Sequence, residues 1–230
     1  MASILARARM EGRYVLMEPE AKRLCSEYGI PVPEFRIARD VEEAVGHAEE
    51  IGYPVVVKVV SPQVVHKTDV GGVVLNVSDA EQVRNAYNRV VENTLRKLPS
   101  AEIVGVLVEE QAKEGVEAIV GAFKDEQFGQ TVMFGLGGVF VEVLDDVSFR
   151  VAPVSEEDAE EMVREIRGYR ILEGYRGRPP ADLEAVKSII VNVSRMVMEL
   201  QEIREVDLNP IYVYNRGAVA VDVKVILEKV

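Results

Sequence analysis

Residues 52–77, GYPVVVKVVSPQVVHKTDVGGVVLNV, carry the most informative pattern in the sequence. The apolar run at 54–60 is typical of a buried β-strand, and Lys58 interrupts it with a charge. The polar, glycine-ended segment 61–72 predicts a loop, and residues 73–77 predict another strand. The stretch therefore predicts two strands joined by a loop that carries a histidine, a lysine and a glycine pair.

Around this stretch, helices and strands alternate without the regular βαβ rhythm of a doubly wound sheet. Capping residues, apolar spacing and turn signals predict helices at 18–28, 40–51, 78–98 and 183–200, strands at 104–110, 117–123, 130–135 and 149–152, and a terminal hairpin of 205–214 and 218–227. Ser78 and Glu81 are the capping box expected for the third helix. We expect an α+β chain with two mixed or antiparallel sheets, divided into residues 1–108 and 109–230.

The composition argues against several classes of protein. The 230 residues carry a net charge of −12, the wrong sign for a general nucleic-acid binder. No apolar run approaches the ~18 residues that suggest a membrane-spanning helix, and arginines near the start argue against a secretory signal. Cys25 is the single cysteine, which excludes an internal disulfide framework and favours the reducing cytoplasm. We expect a cytoplasmic protein that binds neither nucleic acid nor a membrane.

Lys58 is the first candidate for a binding residue. A buried lysine is costly unless an anion meets it, and a nucleotide phosphate would be such an anion. The alternative is a lysine whose aliphatic stem is buried while its head reaches water.

The loop at 61–72 is the second candidate. The imidazole of His66 could accept a phosphoryl group as a covalent nucleophile, and Lys67 could donate to a phosphate. The backbone amides of Gly71 and Gly72 could approach a phosphate closely. A polar connecting loop without a ligand would have a similar composition.

The terminal hairpin carries the third candidate. Asp207 and Asn209 share one face of a strand because residues alternate faces, and folding the hairpin brings Asn209 opposite Asp222. Their oxygens are the hard ligands that Mg²⁺ prefers, with the remaining ligands coming from water and nucleotide phosphates. The alternative is a polar hairpin face in water, which the apolar neighbours in both strands argue against.

Two further patterns have low specificity. Glu109, Glu110 and Gln111, followed by Glu117, could accept hydrogen bonds from ribose hydroxyls and an adenine amino group, although a solvated acidic edge would look the same. The glycines at 135, 137 and 138, followed by Glu142, could form a phosphate loop. They match neither the P-loop nor the dinucleotide-binding pattern.

The order of motifs resembles the beta subunits of ADP-forming acetate–CoA ligases and, more distantly, those of succinyl-CoA synthetases, both within the ATP-grasp superfamily. The resemblance covers residues 14–228 and rests on five segments: GYPVVVKVVSPQVVHKTDVGGVVLNV, VGVLVEEQAKEGVEAIVGAF, FGLGGVFVEV, REVDLNPIYVY and VDVKV. It implies two ATP-grasp subdomains that clamp a nucleotide between two sheets. Succinyl-CoA synthetases lack a counterpart of His66 and carry glutamate at the position of Asp207, so the acetate–CoA ligases are the closer relatives.

The resemblance also implies roles for the candidate residues. His66 would be transiently phosphorylated, and Asp207 would steady its imidazolium. Asn209 and Asp222 would bind Mg²⁺. The remaining residues would contact ATP or ADP: Lys58, Lys67, Gly71 and Gly72 at the phosphates, Glu109, Glu110 and Gln111 at the adenine, and Glu117 at the ribose.

The implied activity is that of one subunit of an enzyme. A separate alpha subunit would carry the coenzyme A site, in an α2β2 assembly that converts acyl-CoA, ADP and phosphate to acid, coenzyme A and ATP. Two alternatives remain open. One is another ATP-grasp ligase that makes an acylphosphate directly, and the other is a nucleotide-sensing regulatory subunit.

Overall fold

The computed structural model describes residues 2–138, 145–174, 177 and 179–229, which belong to two units. We call them the four-stranded unit, made of Met17–Pro19 and Pro33–Ala112, and the six-stranded unit, made of Met1–Leu16, Glu20–Val32 and Lys113–Val230. Each unit has its own hydrophobic core.

The described helices and strands follow the predicted order closely. The helices are α1 (Ala2–Met10), α2 (Glu18–Glu27), α3 (Val41–Ile51), α4 (Ala80–Lys97), α5 (Glu156–Glu165), α6 (Tyr169–Leu172) and α7 (Leu183–Glu199). The strands are β1 (Phe35–Ala38), β2 (Val55–Val60), β3 (Val73–Val77), β4 (Gly105–Glu110), β5 (Val116–Asp125), β6 (Gly129–Leu136), β7 (Val147–Val151), β8 (Ile203–Val213), β9 (Ala218–Ala220) and β10 (Val223–Leu227). In the part of the chain described, none of the helices is both long and apolar enough to cross a membrane.

The four-stranded unit is an antiparallel sheet with strands in the order β1-β4-β2-β3. Strand β2 pairs on both sides and is buried along its whole length. Its alternate valines, Val55, Val57 and Val59, pack in the core with residues of α3 and α4. Asp40 caps α3 as predicted, by accepting a hydrogen bond from the backbone N–H of Glu43 at 2.9 Å.

The predicted cap of α4 was wrong by one residue. Asp79, and not Ser78, is the N-cap, and its carboxylate accepts from the N–H of Gln82 at 2.8 Å. Aspartate and serine are nearly equivalent as N-caps, so residue type does not distinguish Ser78 from Asp79. The position at which the chain leaves strand β3 determines which of the two becomes the cap.

The six-stranded unit is also antiparallel, with the order β10-β8-β5-β6-β7 and β9 paired to β8. Helix α7 covers β5, β6 and β8 with the apolar stripe that its three- and four-residue spacing predicts. The expected α+β class is confirmed, and both sheets are of the antiparallel kind.

The division of the chain differs from the expected boundary at residue 108. The two units meet along the sequence at 112–113, and two N-terminal segments belong to the six-stranded unit. The reason is packing, because Leu5, Leu24 and Ile30 are buried in the same core as strands β5, β6 and β8.

Substitution of two methionines on α7, one buried and one exposed, tests which face of this helix packs against the sheet. Met196 is 0% exposed and Met198 is 38% exposed. Met196→Ala should lower the free energy of unfolding by ~2–5 kcal/mol, because it leaves a cavity in a closely packed core. Met198→Ala should change it by less than ~0.5 kcal/mol. Denaturant titration of both variants measures the difference, and equal losses would contradict the assigned faces of α7.

Candidate functional site

The segment at 61–72, which we call the His66 turn, is fastened at both ends. At one end Val64 is buried in the core of the four-stranded unit. At the other end the N–H of Val59 donates to the carbonyl of Gly72 at 2.8 Å. A Cβ at Gly72 would lie 2.5 Å from the Cγ1 of Val59, so only glycine fits at this close approach.

The backbone N–H groups of Gly71 and Gly72 form hydrogen bonds within the His66 turn. The N–H of Gly71 donates to the carbonyl of Thr68 at 3.0 Å, and that of Gly72 donates to the carbonyl of Lys67 at 2.8 Å. A phosphate contact by Gly71 and Gly72 stays a prediction, and these amides would have to leave their present acceptors to make it. The side chain of His66 is exposed at the middle of the turn.

Lys58 meets carboxylates that the protein itself supplies. Its Nζ lies 2.7 Å from Oε1 of Glu18 and 2.9 Å from Oε1 of Glu109, and all three residues are buried. The prediction that this lysine needs an anion is therefore fulfilled within the chain. A contact between Lys58 and nucleotide phosphates stays a prediction. To make it, Lys58 would have to bind a phosphate in addition to these two carboxylates or in place of one of them.

The carboxylate of Glu18 also holds the His66 turn. Its Oε2 lies 3.0 Å from Nζ of Lys67, so one carboxylate bonds two lysines. Sequence reasoning missed Glu18, because it lies 40 residues before Lys58 and stands in the first turn of α2, where acidic residues are common.

The residues predicted to contact adenine lie at the end of β4. Glu109 is 0% exposed and faces Lys58, whereas the next residue, Glu110, is exposed. The side chain of Gln111 accepts a hydrogen bond from the N–H of Asn76 at 3.0 Å. The strand thus points Glu109 inward and leaves Glu110 accessible, so the two glutamates cannot have the same role.

In the six-stranded unit, the terminal hairpin forms, but the second strand expected at 218–227 is divided at residues 221–222 into β9 and β10. The register pairs Leu208 with Val223 and Ile211 with Ala220, which sets Asn209 opposite Asp222. The backbone N–H of Asn209 donates to the carbonyl of Asp222 at 3.2 Å, and both residues are exposed.

A cavity of about 380 Å³ lies on the sheet of this unit. Asp207 and Asn209 line it from β8, and Phe123 and Met133 line it from β5 and β6. Burial raises the pKa of Asp207 above its ordinary value; Lys224 opposes this rise, while Glu205 and Asp222 add to it. The cavity therefore combines an apolar wall with a carboxyl group whose charged form is disfavoured.

The donors at Asn209 and Asp222 fit a magnesium ion that a nucleotide helps to hold. Asn209 in β8 and Asp222 in the break between β9 and β10 lie opposite each other, and both offer accessible hard oxygens. No cluster of three or more His, Cys, Asp or Glu side chains that could hold a metal occurs within the described ranges. Two protein ligands suit Mg²⁺, because it usually keeps several waters and takes further oxygens from phosphates.

Glu117 lies beside the glycine-rich turn that follows β6. The N–H of Gly137 donates to its carbonyl at 2.8 Å, and a Cβ at Gly137 would lie 2.8 Å from the Cβ of Glu117. Glu117 and the glycines at 137 and 138, which belong to two sequence patterns of low specificity, therefore lie next to each other in the six-stranded unit. Glu142, which follows the glycines, lies outside the described residues.

The candidate residues therefore fall into two groups, each within one unit. His66, Lys67, Lys58 and the residues at the end of β4 belong to the four-stranded unit. Glu117 and the three hairpin residues belong to the six-stranded unit.

The sequence matches the ATP-grasp domain family over residues 7–227. It is 52% identical, over 97% of this chain and 96% of the relative, to the beta subunit of acetate–CoA ligase [ADP-forming] I of Pyrococcus furiosus. It is 50% identical over 87% of this chain to acetate–CoA ligase [ADP-forming] I of Archaeoglobus fulgidus, but spans 29% of that longer protein. The beta subunit of succinate–CoA ligase [ADP-forming] of Natronomonas pharaonis is more distant, at 32% identity over 86% of this chain and 51% of the relative.

Solved structures agree with these relatives. The dinucleotide-forming acetyl-coenzyme A synthetase 1 of Candidatus Korarchaeum cryptofilum, in complex with coenzyme A, Ca-AMPCP and HgCl⁺, has a TM-score of 0.96 and 53% identity over 99% of both chains. A second structure of that protein contains coenzyme A and Mg-AMPPCP, with its phosphohistidine segment pointing towards the nucleotide binding site. Its TM-score is 0.88, at 50% identity over 99% of both chains. The resemblance deduced from the motifs is confirmed: the chain belongs to the ATP-grasp family and, within it, to the beta subunits of ADP-forming acetate–CoA ligases.

Proposed function

We propose that this chain is the nucleotide-binding subunit of an ADP-forming acetyl-CoA synthetase and that it passes a phosphoryl group between His66 and ADP or ATP. The observation that carries the proposal is the exposed imidazole of His66, held on a turn whose two ends are fixed to the four-stranded unit. The Korarchaeum relative supports it, because that protein has a phosphohistidine segment and a nucleotide binding site.

In the proposed reaction, a ring nitrogen of His66 attacks the γ-phosphorus of ATP while the bond to the bridging oxygen of ADP breaks. The reverse reaction returns the phosphoryl group to ADP and makes ATP. Asp207 accepts the N–H of the second ring nitrogen and so stabilises the positive charge on the imidazole. Its carboxyl group is suited to this role because partial burial keeps it poorly hydrated, so an imidazolium beside it favours its charged form.

The remaining residues bind the nucleotide in this proposal. Asn209 and Asp222 hold Mg²⁺, which when bound neutralises charge on the phosphates. Glu117 binds the ribose, and the backbone and side chains at Glu109, Glu110 and Gln111 bind the adenine. Glu109 contributes through its backbone, because its side chain is engaged with Lys58.

The complete reaction needs a second protein. The Pyrococcus relative is a beta subunit, and the Archaeoglobus relative is more than three times as long as the part that matches this chain. We propose an alpha subunit that binds coenzyme A and transfers the acyl group, in an α2β2 assembly that converts acyl-CoA, ADP and phosphate to acid, coenzyme A and ATP. The cytoplasm stays the predicted location.

The two alternatives differ from this proposal in what His66 does. A ligase that makes an acylphosphate directly would turn over almost normally without it. A nucleotide sensor would bind ATP but take up no phosphate, even with the partner present. The paired donors at Asn209 and Asp222 favour a catalytic site over a sensor, since a metal held at the phosphates assists transfer.

His66→Ala should reduce acid-labile phosphate incorporation from Mg-ATP by at least about a hundredfold, because it removes the nucleophile. His47→Ala is the matched control and should incorporate phosphate normally, since it changes the only other histidine of the chain, half-buried on α3. Label from the γ-phosphate of ATP, counted before and after acid treatment, measures the effect. Equal labelling of the two variants would contradict the role of His66.

Asp207→Asn should slow phosphorylation of His66 by at least about tenfold without destabilising the fold. Because burial raises the pKa of Asp207, its charged form carries a folding penalty that is absent at low pH and appears as the pH rises through the raised pKa. The amide removes this penalty, so the free energy of unfolding at pH 7 without metal should be unchanged or higher. A variant that loses both stability and transfer would instead identify Asp207 as a structural residue.

Asp222→Asn should raise the Mg²⁺ concentration needed for half-maximal phosphorylation by about tenfold or more, because it weakens one of two protein ligands. Glu126→Gln is the control, because it also removes one negative charge. Glu126 is exposed on the turn between β5 and β6. Titration of Mg²⁺ at fixed ATP measures the requirement. A similar shift in both variants would mean that net charge, and not a metal ligand, was altered.

A further inference from the structure

Lys67 occupies an unusual position for a residue next to an exposed histidine. Its neighbours Val65, His66, Thr68 and Asp69 are exposed, but its own side chain is only 16% exposed and points to a buried carboxylate. That carboxylate, Oε2 of Glu18, belongs to a side chain that is 1% exposed and lies 3.0 Å from the Nζ of Lys67.

The setting reduces the screening of the attraction between Lys67 and Glu18. Exposed pairs are screened by water and salt, whereas a buried pair is screened much less. Glu18 also bonds Lys58, which bonds Glu109, so Lys67 adds a second positive charge to a group of buried carboxylates. If Lys67 moved away, Glu18 would keep Lys58 but would lose the positive charge of Lys67.

Other contacts hold the turn through its backbone. Asn93 donates to the carbonyl of Gly71 at 3.1 Å, and Lys97 donates to the carbonyl of Asp69, both from α4. Lys67 differs from these contacts because it holds the turn by its own side chain, next to His66 in the sequence. Its ion pair therefore restricts the orientation of His66 more directly than the backbone contacts at Asp69 and Gly71 do.

We infer that Lys67 is a positioning residue whose ion pair with Glu18 docks the His66 turn on the four-stranded unit. The docked turn restricts the imidazole to few orientations, which favours transfer by pre-organisation. The catalytic consequence rests on the proposed phosphorylation of His66, whereas the docking does not. The inference also departs from the expectation that Lys67 binds nucleotide phosphates.

Hydrogen exchange of the full chain tests the docking. In Lys67→Met, the amides within residues 61–72 should exchange about tenfold faster, because those of Gly71 and Gly72 are protected only while the turn is closed. Lys67→Arg keeps the charge and should restore slow exchange. Arg84→Met is the matched control, because it breaks the exposed Arg84–Glu42 pair of the same unit and should leave this segment unchanged. Exchange in Lys67→Met equal to that of the unaltered chain would overturn the inference.

Kinetics of His66 phosphorylation separate positioning from nucleotide binding. Lys67→Met should lower the maximal rate about tenfold while the KM for ATP stays within about twofold, and Lys67→Arg should recover most of the rate. A raised KM with an unchanged rate would overturn the inference and make Lys67 a phosphate-binding residue. If the unaltered chain binds ATP but takes up no phosphate, the proposed function fails; faster exchange in Lys67→Met would then still support the docking.

Discussion

The carboxylate of Glu18 bonds Lys58 in strand β2 and Lys67 in the His66 turn, inside the four-stranded unit. Burying a lysine in a strand of valines is costly unless an anion compensates it, and here Glu18 and Glu109 supply that anion. The consequence reaches the surface, because the same carboxylate fixes the turn on which His66 is exposed. The ion pairs of these buried residues thus extend to the turn that carries the imidazole we propose as the nucleophile.

The six-stranded unit contributes groups of a different kind. Its hairpin presents the exposed oxygens of Asn209 and Asp222 and the half-buried carboxyl of Asp207, on a sheet otherwise stabilised by apolar packing against α7. Polar groups set in such a frame keep their positions with little freedom, which suits them to bind a metal–nucleotide complex. The chemistry we propose needs both sets of residues: a nucleophile on a turn, and rigid groups that hold charge.

The features that could be predicted from the sequence are local. The valine run of β2 and the apolar stripe of α7 each depend on neighbouring residues, so the bounds of these elements followed from spacing. The alternation in the terminal hairpin predicted that Asn209 lies opposite Asp222, but not the break at 221–222 that separates β9 from β10. The need of Lys58 for an anion also followed, since the cost of burial depends only on the residue and its strand.

Two other features that were missed depend on contacts between distant parts of the chain. The identity of the anion at Lys58 could not be read from spacing, because Glu18 reaches it across 40 residues and no periodicity links them. The division of the chain differed from expectation for the same reason, as the N-terminal helices pack with strands more than 80 residues further along. Mass-spectrometric mapping of the phosphorylated residue, on the unaltered chain incubated with Mg-ATP and kept alkaline, reports directly whether His66 accepts the phosphoryl group. We expect the phosphoryl group on His66 in the peptide that spans residues 61–72, and a modification found only elsewhere, or none while ATP is bound, would contradict it.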